Sequence, residues 1–199
     1  MSERITILML ASGLSRRFGA ANKLMASLNG QPVASHTADL WKHKPNCERI
    51  VVIPNHEEEL RILYEKSEWT VLTNPAPQLG QSGSLRIGVQ AAIDSHSEKI
   101  VVCLSDMPFV PGNHLDSVET LLSNFDAVMS IDGDTVLPPA GFRENLFNKL
   151  LALEGDKGAK SVFLKTLSKA TLPIKTFNPI DIDHLNDLSD AQAKGARHV

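Results

Sequence analysis

Three cations follow closely on the first apolar run of the chain, Ile5–Leu10, in the stretch LASGLSRRFGAANKL at residues 10–24. Gly13 and Gly19 let backbone N–H groups approach a ligand. Ser12 and Ser15 offer hydroxyls, and Arg17 and Lys23 offer charge that matches phosphate oxygens. The residue types describe an anion cradle of the kind a nucleoside triphosphate needs. A solvated cationic turn that caps a helix is the plainer alternative. Neither common phosphate-loop spacing is met: Ala20 stands where the Walker pattern needs Lys, and Ser15 stands where GxGxxG needs Gly.

Carboxylates supply the second chemistry. Asp106 comes just after the apolar run Val101–Leu104. Mg2+ commonly takes one or two carboxylates together with substrate phosphates, so Asp106 is a candidate ligand or, more simply, a turn residue. Asp181 and Asp183 alternate and would point the same way in an extended chain. Either could join Asp106 on a metal, or Asp183 could cap the last helix. Gly80-Gln81-Ser82-Gly83-Ser84 precedes a helical pattern, with Ser82 as candidate N-cap, and its N–H groups could bind a base, a ribose or a pterin. His36, His56, His114 and His184 have no partner spacing and read as surface or interface residues.

The elements that must position these groups alternate. Strands are expected at Ile5–Leu10, Arg49–Ile53, Thr70–Thr73, Lys99–Leu104, Ala127–Ile131 and Thr171–Thr176, and nearly all are continuously apolar, which suits parallel strands covered on both faces. Helices are expected at Pro32–Lys42, Glu57–Lys66, Ser82–Ile93, Leu115–Asn124, Glu144–Ala152, Ala159–Ser168 and Leu185–Ala193. The pattern predicts an α/β fold, a doubly wound, mostly parallel sheet with helices on both faces. Asp132-Gly133-Asp134 reads as a turn. Leu137-Pro138-Pro139-Ala140 is not expected in a central strand, because proline cannot donate to the ladder.

Composition narrows the classes. Net charge is −3 over 199 residues, with 42% hydrophobic and 22% charged residues, so no basic field points to nucleic acid. Cys47 and Cys103 are far apart and form no CxxC, which suits free thiols in a reducing compartment. No targeting segment or membrane span is evident, and a cytoplasmic protein without a membrane partner is expected.

Taken together, the motifs resemble those of the molybdopterin-type nucleotidyltransferases. Leu10, Gly13, Ser15, Arg17, Gly19 and Lys23 fill that family's N-terminal signature. Asn74–Ser84 is similar to its Asn-plus-Gly-Ser loop, and Asp106-Met107-Pro108 to its acidic metal motif. Pro139–Phe142 resembles a later Pro-containing substrate loop, and Leu153–Ala159 is similar to the family's Gly-Asp-x-Gly-Ala segment. Asp181-Ile182-Asp183 with Asp187-Leu188 resembles the closing motif. The resemblance spans nearly the whole chain and implies one nucleotidyltransferase domain over residues 1–199, with a Rossmann-like fold. It is strongest to the molybdenum cofactor cytidylyltransferase branch.

The implied activity is transfer of CMP from CTP to the phosphate of molybdopterin, with pyrophosphate released and Mg2+ as cofactor. The implied catalytic residues are Lys23, Arg17 and Asp106. The implied nucleotide-binding residues are Leu10, Ala11, Ser12, Gly13, Ser15, Arg17, Lys23, Asn74, Gly80, Ser82 and Ser84. Asp106 and Asp183 are the implied metal ligands. Ser12 stands where cytidylyl members commonly carry Ala and guanylyl members Gly, so GTP stays open as the donor. A sugar phosphate or other small phosphorylated acceptor is the alternative substrate. A non-catalytic accessory protein that binds nucleotide and meets a molybdoenzyme or chaperone transiently is the alternative function.

Overall fold

The first strand, β1 (Ile5–Leu10), is buried along its whole length. In the computed structural model, which describes residues 3–13, 22–175 and 177–195, its side chains serve two separate cores. Ile5, Ile7 and Met9 face one, and Leu8 and Leu10 face the other. That is why the run is continuously apolar: side chains alternate across a strand, and here both faces are covered.

Parallel partners flank β1 on both sides. These are β4 (Cys47–Pro54) and β6 (Lys99–Leu104). Beyond β4 lies β5 (Thr70–Asn74), also parallel. Beyond β6 come β8 (Thr135–Arg143), β7 (Ala127–Asp132) and β9 (Lys169–Pro173), which gives the order β5-β4-β1-β6-β8-β7-β9. β8 runs antiparallel to both neighbours, while β7 and β9 are parallel. A small ribbon, β2 (Ser27–Leu28) with β3 (Gln31–Pro32), stands apart.

Helices cover both faces. On the Ile7 side lie α1 (Ser35–Ala38), α2 (Glu58–Lys66), α4 (Gly112–Leu121) and α7 (Leu185–Gly195), which bury Ala38, Leu60, Tyr64, Leu115, Val118 and Ala191. On the Leu8 side lie α3 (Gln81–Asp94), α5 (Phe147–Leu151) and α6 (Lys160–Lys165), which bury Leu85, Val89, Phe147, Leu150 and Phe163. The doubly wound, mostly parallel sheet expected from the sequence is present. Among the described residues no helix is long and apolar enough to cross a membrane.

Four local expectations fail, each for a physical reason. The diproline lies inside the central strand β8. The β7–β8 register jumps from Met129↔Ala140 to Ser130↔Leu137, so Pro138 and Pro139 fall in a bulge, joined by a cis peptide bond. Pairing with β6 ends at Ala140, so neither proline owes that ladder an N–H.

The helix expected over Pro32–Lys42 shrinks to α1, and Pro32 belongs to β3. Carbonyls that would continue the helix are taken by side chains. Arg49 donates to the carbonyls of Leu40 (3.1 Å) and Ala38, and Trp69 Nε1 donates to that of Ala38 at 2.7 Å. Trp41, at φ 54°, turns the chain away.

Ser82 is not an N-cap. α3 begins at Gln81 behind Gly80, and Ser82 N donates to the Gly155 carbonyl at 3.1 Å. His114 is not on the surface. It is only 7% exposed, packs edge-to-face on Phe177 and lies 2.8 Å from Ser130 Oγ. Ser130 spends its proton on the Pro139 carbonyl, so His114 Nε2 is the donor of that pair. Burial pulls the imidazolium below its ordinary value of 6.5.

α3 meets β1 closely at Gly88. A Cβ there would lie 2.2 Å from Leu8 Cδ1 and 2.9 Å from its Cγ, and Leu8 is fully buried. Overpacking costs about 1–3 kcal/mol, against which alanine returns about 1 kcal/mol of helix propensity. Gly88→Ala is therefore expected to lower the urea midpoint, with a net loss of up to about 2 kcal/mol.

Candidate active site

The β1–β6 register pairs Leu10 with Leu104, so the chains leaving both strands emerge side by side. Ser105 N donates to the Leu10 carbonyl at 3.1 Å, and Ala11 N donates to the Val52 carbonyl at 3.0 Å. These bonds bring Ser12 and Gly13 next to Asp106 at the carboxyl edge of the sheet, where open α/β sheets bind ligands. Tyr64, fully buried, pairs with Ser105 Oγ at 2.6 Å and anchors the turn from below. The buried phenol titrates only at about 12, so at neutral pH it stays a hydrogen-bonding hydroxyl.

The end of the chain closes over this turn. Ile182 is buried, and its N–H donates to the Asp106 carbonyl at 3.0 Å. The alternation about Ile182 brings Asp181 and Asp183 to the same side. One carboxylate oxygen from each of Asp106, Asp181 and Asp183 lies within 4.8 Å of the others. The start of α7 is capped by Asp187, whose Oδ2 accepts from Asp183 N at 3.0 Å and His184 N at 2.6 Å. The Asp183 carboxylate faces Lys23 instead.

Lys23 sits in a short 3-10 turn, Lys23–Met25, whose first N–H groups are met by Asn22: its side chain accepts from Leu24 N at 2.9 Å. Leu24 is buried, which seats the turn. Lys23 itself is 6% exposed, and its Nζ lies 2.5 Å from Asp106 Oδ2, 2.7 Å from Asp183 Oδ1 and 3.9 Å from Asp181 Oδ1. Burial works to strip its proton, but the charge and hydrogen bond of Asp106, with the pull of Asp183 and Asp181, hold the ammonium above its ordinary 10.5. Asp181 is driven the other way. Burial first, then the neighbouring Asp106, push its carboxyl up to about 8 despite Lys23.

Asp106 Oδ1 is buried with no hydrogen-bond partner among the described residues. An all-oxygen donor set with an unmet buried lone pair fits a hard divalent cation. Asp106, Asp181 and Asp183 could hold it.

A cleft of about 420 Å3 opens above this cluster. Of the residues expected at a nucleotide, Leu10, Ser12, Gly13, Lys23 and Gly80 line it, as do Asp106 and Asp183. Four others lie behind the wall. Ala11, Asn74, Ser82 and Ser84 are buried. Asn74 Nδ2 donates to Ser84 Oγ at 2.8 Å, Ser84 bonds the Ser12 hydroxyl, and Ala76 N donates to Asn74 Oδ1 at 2.9 Å. The chain Ser12–Ser84–Asn74 thus ties the first loop to α3 and to the end of β5. Ser15 and Arg17 lie outside the described residues.

Sequence reasoning missed Gln78, Gln81 and Asp156, which also line the cleft. Asp156 arrives because the 154–158 loop docks on the start of α3. A Cβ on Gly80, at φ 105°, would lie 2.4 Å from the Gly155 backbone and 2.8 Å from Asp156 Oδ1, so only glycine admits the loop. The closely spaced Gly155 and Gly158 were the available signal.

A family profile for the MobA-like NTP transferase domain matches residues 7–170. The purine catabolism protein PucB of Bacillus subtilis is 28% identical over 159 residues, 76% of each chain. A molybdenum cofactor guanylyltransferase of Shewanella loihica is 26% identical over 134 residues, 67% of this chain and 65% of that protein. Among solved structures, a nucleotidyl transferase from Methanothermobacter superposes with TM-score 0.82 at 19% identity, covering all of both chains. Rv0371c of Mycobacterium tuberculosis H37Rv, solved as a complex with manganese, gives 0.78 at 20% identity, covering 97% of this chain and 100% of that one. At such identities the structural likeness speaks for the fold.

The raised Asp181 carboxyl makes stability depend on pH. The unfolded chain loses this proton near 3.8, whereas the folded chain keeps it to about 8. The unfolded state therefore binds fewer protons across that window, and folding stability falls as pH rises through it. In chelator-treated protein, Asp181→Asn is expected to flatten this decline between pH 5 and 8, read as thermal midpoint against pH. Asp181 is about half exposed, with 47% of its side chain in solvent, so screening keeps the effect modest.

Proposed function

We propose, since the chain belongs to the MobA-like NTP transferase family, that this nucleotidyltransferase moves CMP from CTP onto the phosphate of a molybdopterin-type acceptor. The reading takes residues 1–199 as one catalytic domain working in the cytoplasm. The observation that carries it is the meeting of Lys23 with three carboxylates in a cleft at the carboxyl edge of the sheet. A guanylyltransferase acting on molybdenum cofactor among the relatives supports the acceptor class.

In the transfer, an acceptor phosphate oxygen forms a bond to the α-phosphorus of the triphosphate. The bond from that phosphorus to the bridging oxygen breaks, and pyrophosphate leaves with the electron pair. The protein supplies no nucleophile, so its task is orientation and charge. The Gly13 backbone and Arg17 hold the β- and γ-phosphates. Lys23 meets the negative charge that builds at the α-phosphate. The Ser12–Ser84–Asn74 chain fixes the loop against which the nucleotide rests. Mg2+ held by Asp106 and Asp183, with Asp181 beside them, would neutralise the triphosphate and polarise its oxygens. The manganese complex of the mycobacterial neighbour supports a divalent ion.

Cytosine is favoured on size. The Ser12 side chain narrows space that glycine would leave open, and a guanine is larger. The guanylyltransferase relative favours GTP as the second reading. Product mass after incubation with molybdopterin-type cofactor and either CTP or GTP decides the donor and the acceptor together. Pyrophosphate release separates an enzyme from a nucleotide-binding accessory protein.

Two outcomes are expected. Discrimination by shape is worth about 1–3 kcal/mol, so kcat/KM for CTP should exceed that for GTP by roughly 10- to 200-fold. A GTP preference moves the protein to the guanylyl branch. Lys23→Ala should lose about 3 kcal/mol of transition-state stabilisation, a drop of order one hundredfold in turnover with the circular dichroism spectrum unchanged. Near-normal turnover would remove Lys23 from the reaction.

A further inference from the structure

We propose that Lys23 is a tethered cation: in the resting protein its ammonium holds the place of the divalent metal, and the two are exchanged when metal and triphosphate bind together. This rests on the nucleotidyltransferase reading and assigns the order of events at its site.

The ammonium touches Asp106 Oδ2 and Asp183 Oδ1 at 2.5 and 2.7 Å, and stands 3.9 Å from Asp181. Those three carboxylates are also the group able to hold a metal ion. Mg2+ takes oxygen ligands at about 2.0–2.1 Å, so an ion on the same carboxylates would share oxygens with the ammonium and sit only a few ångströms from it. Two cations that close in a buried setting repel strongly, and they compete for the same lone pairs. One of them must leave.

The ammonium is able to leave. It rides on a flexible four-carbon stem, and Lys23 lines the cleft beside Ser12 and Gly13. A buried cation pulled from its carboxylates needs another anion, and the phosphates of the nucleotide provide it. Each ligand alone is therefore penalised. Metal alone strands the ammonium. Triphosphate alone draws Lys23 away and takes from Asp106 and Asp183 the ammonium that lies between them. Bound together, every charge finds a partner. The consequence is positive coupling between metal and nucleotide, which by linkage acts equally in both directions.

The test uses the intact protein, Mn2+ as the metal and a non-hydrolysable α,β-methylene analogue of CTP. Binding of Mn2+ is read by electron paramagnetic resonance, with and without the analogue. Lys23→Met keeps the length of the side chain and removes its charge. It is expected to bind Mn2+ alone at least about tenfold more tightly than wild type and to show a smaller gain on adding analogue, within the usual range of coupling between sites. Lys23→Arg should keep the wild-type pattern. Thermal melts check that each variant folds, and Lys23→Gln stands in if the Met variant does not. Mn2+ affinity in a folded neutral variant no tighter than wild type overturns the exchange. A wild type that releases pyrophosphate from CTP while the Mn2+ comparison fails would sink the exchange alone. A wild type that binds no nucleotide would sink the functional reading, and the metal comparison would still decide the exchange.

Discussion

The central strand β1 has neither a free edge nor a free face, and the rest of the molecule is arranged around that constraint. Its backbone is spent on β4 and β6, and its side chains are divided between two cores. A strand so enclosed can carry polar function only where it stops. At Leu10 the chain must leave the sheet between two parallel neighbours, and the matched register with Leu104 makes the neighbouring exit the one that carries Asp106. Hydrogen bonding of the sheet, rather than any contact between the functional side chains, brings Ser12 and Gly13 beside the acidic turn.

Around that junction, charge is concentrated and then contained. Burial works against the Lys23 ammonium, and the carboxylates of Asp106, Asp183 and Asp181 hold it in place, while Asp181, crowded by Asp106, keeps its own proton longest. The neutral hydrogen bonds nearby do quieter work. Asn74, Ser84 and Ser12 form one bridge, which runs from the cleft wall at Ser12 back into the protein, and Tyr64 with Ser105 another, and both hold backbone beside the charged groups. Several residues suggested by motif as nucleotide contacts are part of this framework in the protein itself.

Much of the architecture was legible because parallel strands covered on both faces write themselves as short apolar runs. β1 and β6 end at the residues where their hydrophobicity ends. β8 was not legible. Its two prolines obey the rule against proline in a ladder, but they obey it by bulging out of pairing, and one sequence does not reveal a register jump. His114 looked like a surface residue because its partners, Ser130 and Phe177, belong to distant segments. The acidic turn and the lysine were visible as types at plausible places. Their convergence was not, and neither was the entry of Gln78, Gln81 and Asp156 into the cleft, where the 154–158 loop packs against Gly80.

The bond from Ile182 to the Asp106 carbonyl has a meaning in time as well as in space. A ribosome delivers the chain from its N-terminus, and elements begin to fold as they emerge. Every strand of the main sheet is complete by Pro173, yet two of the three carboxylates come later, at Asp181 and Asp183. The strands and Lys23 are made before the acidic cluster can close. A nascent chain thus passes through a stage in which the strands are made but, of the three clustered carboxylates, only Asp106 is present, and the segment 181–183, bonded back to the Asp106 carbonyl, completes the charged centre.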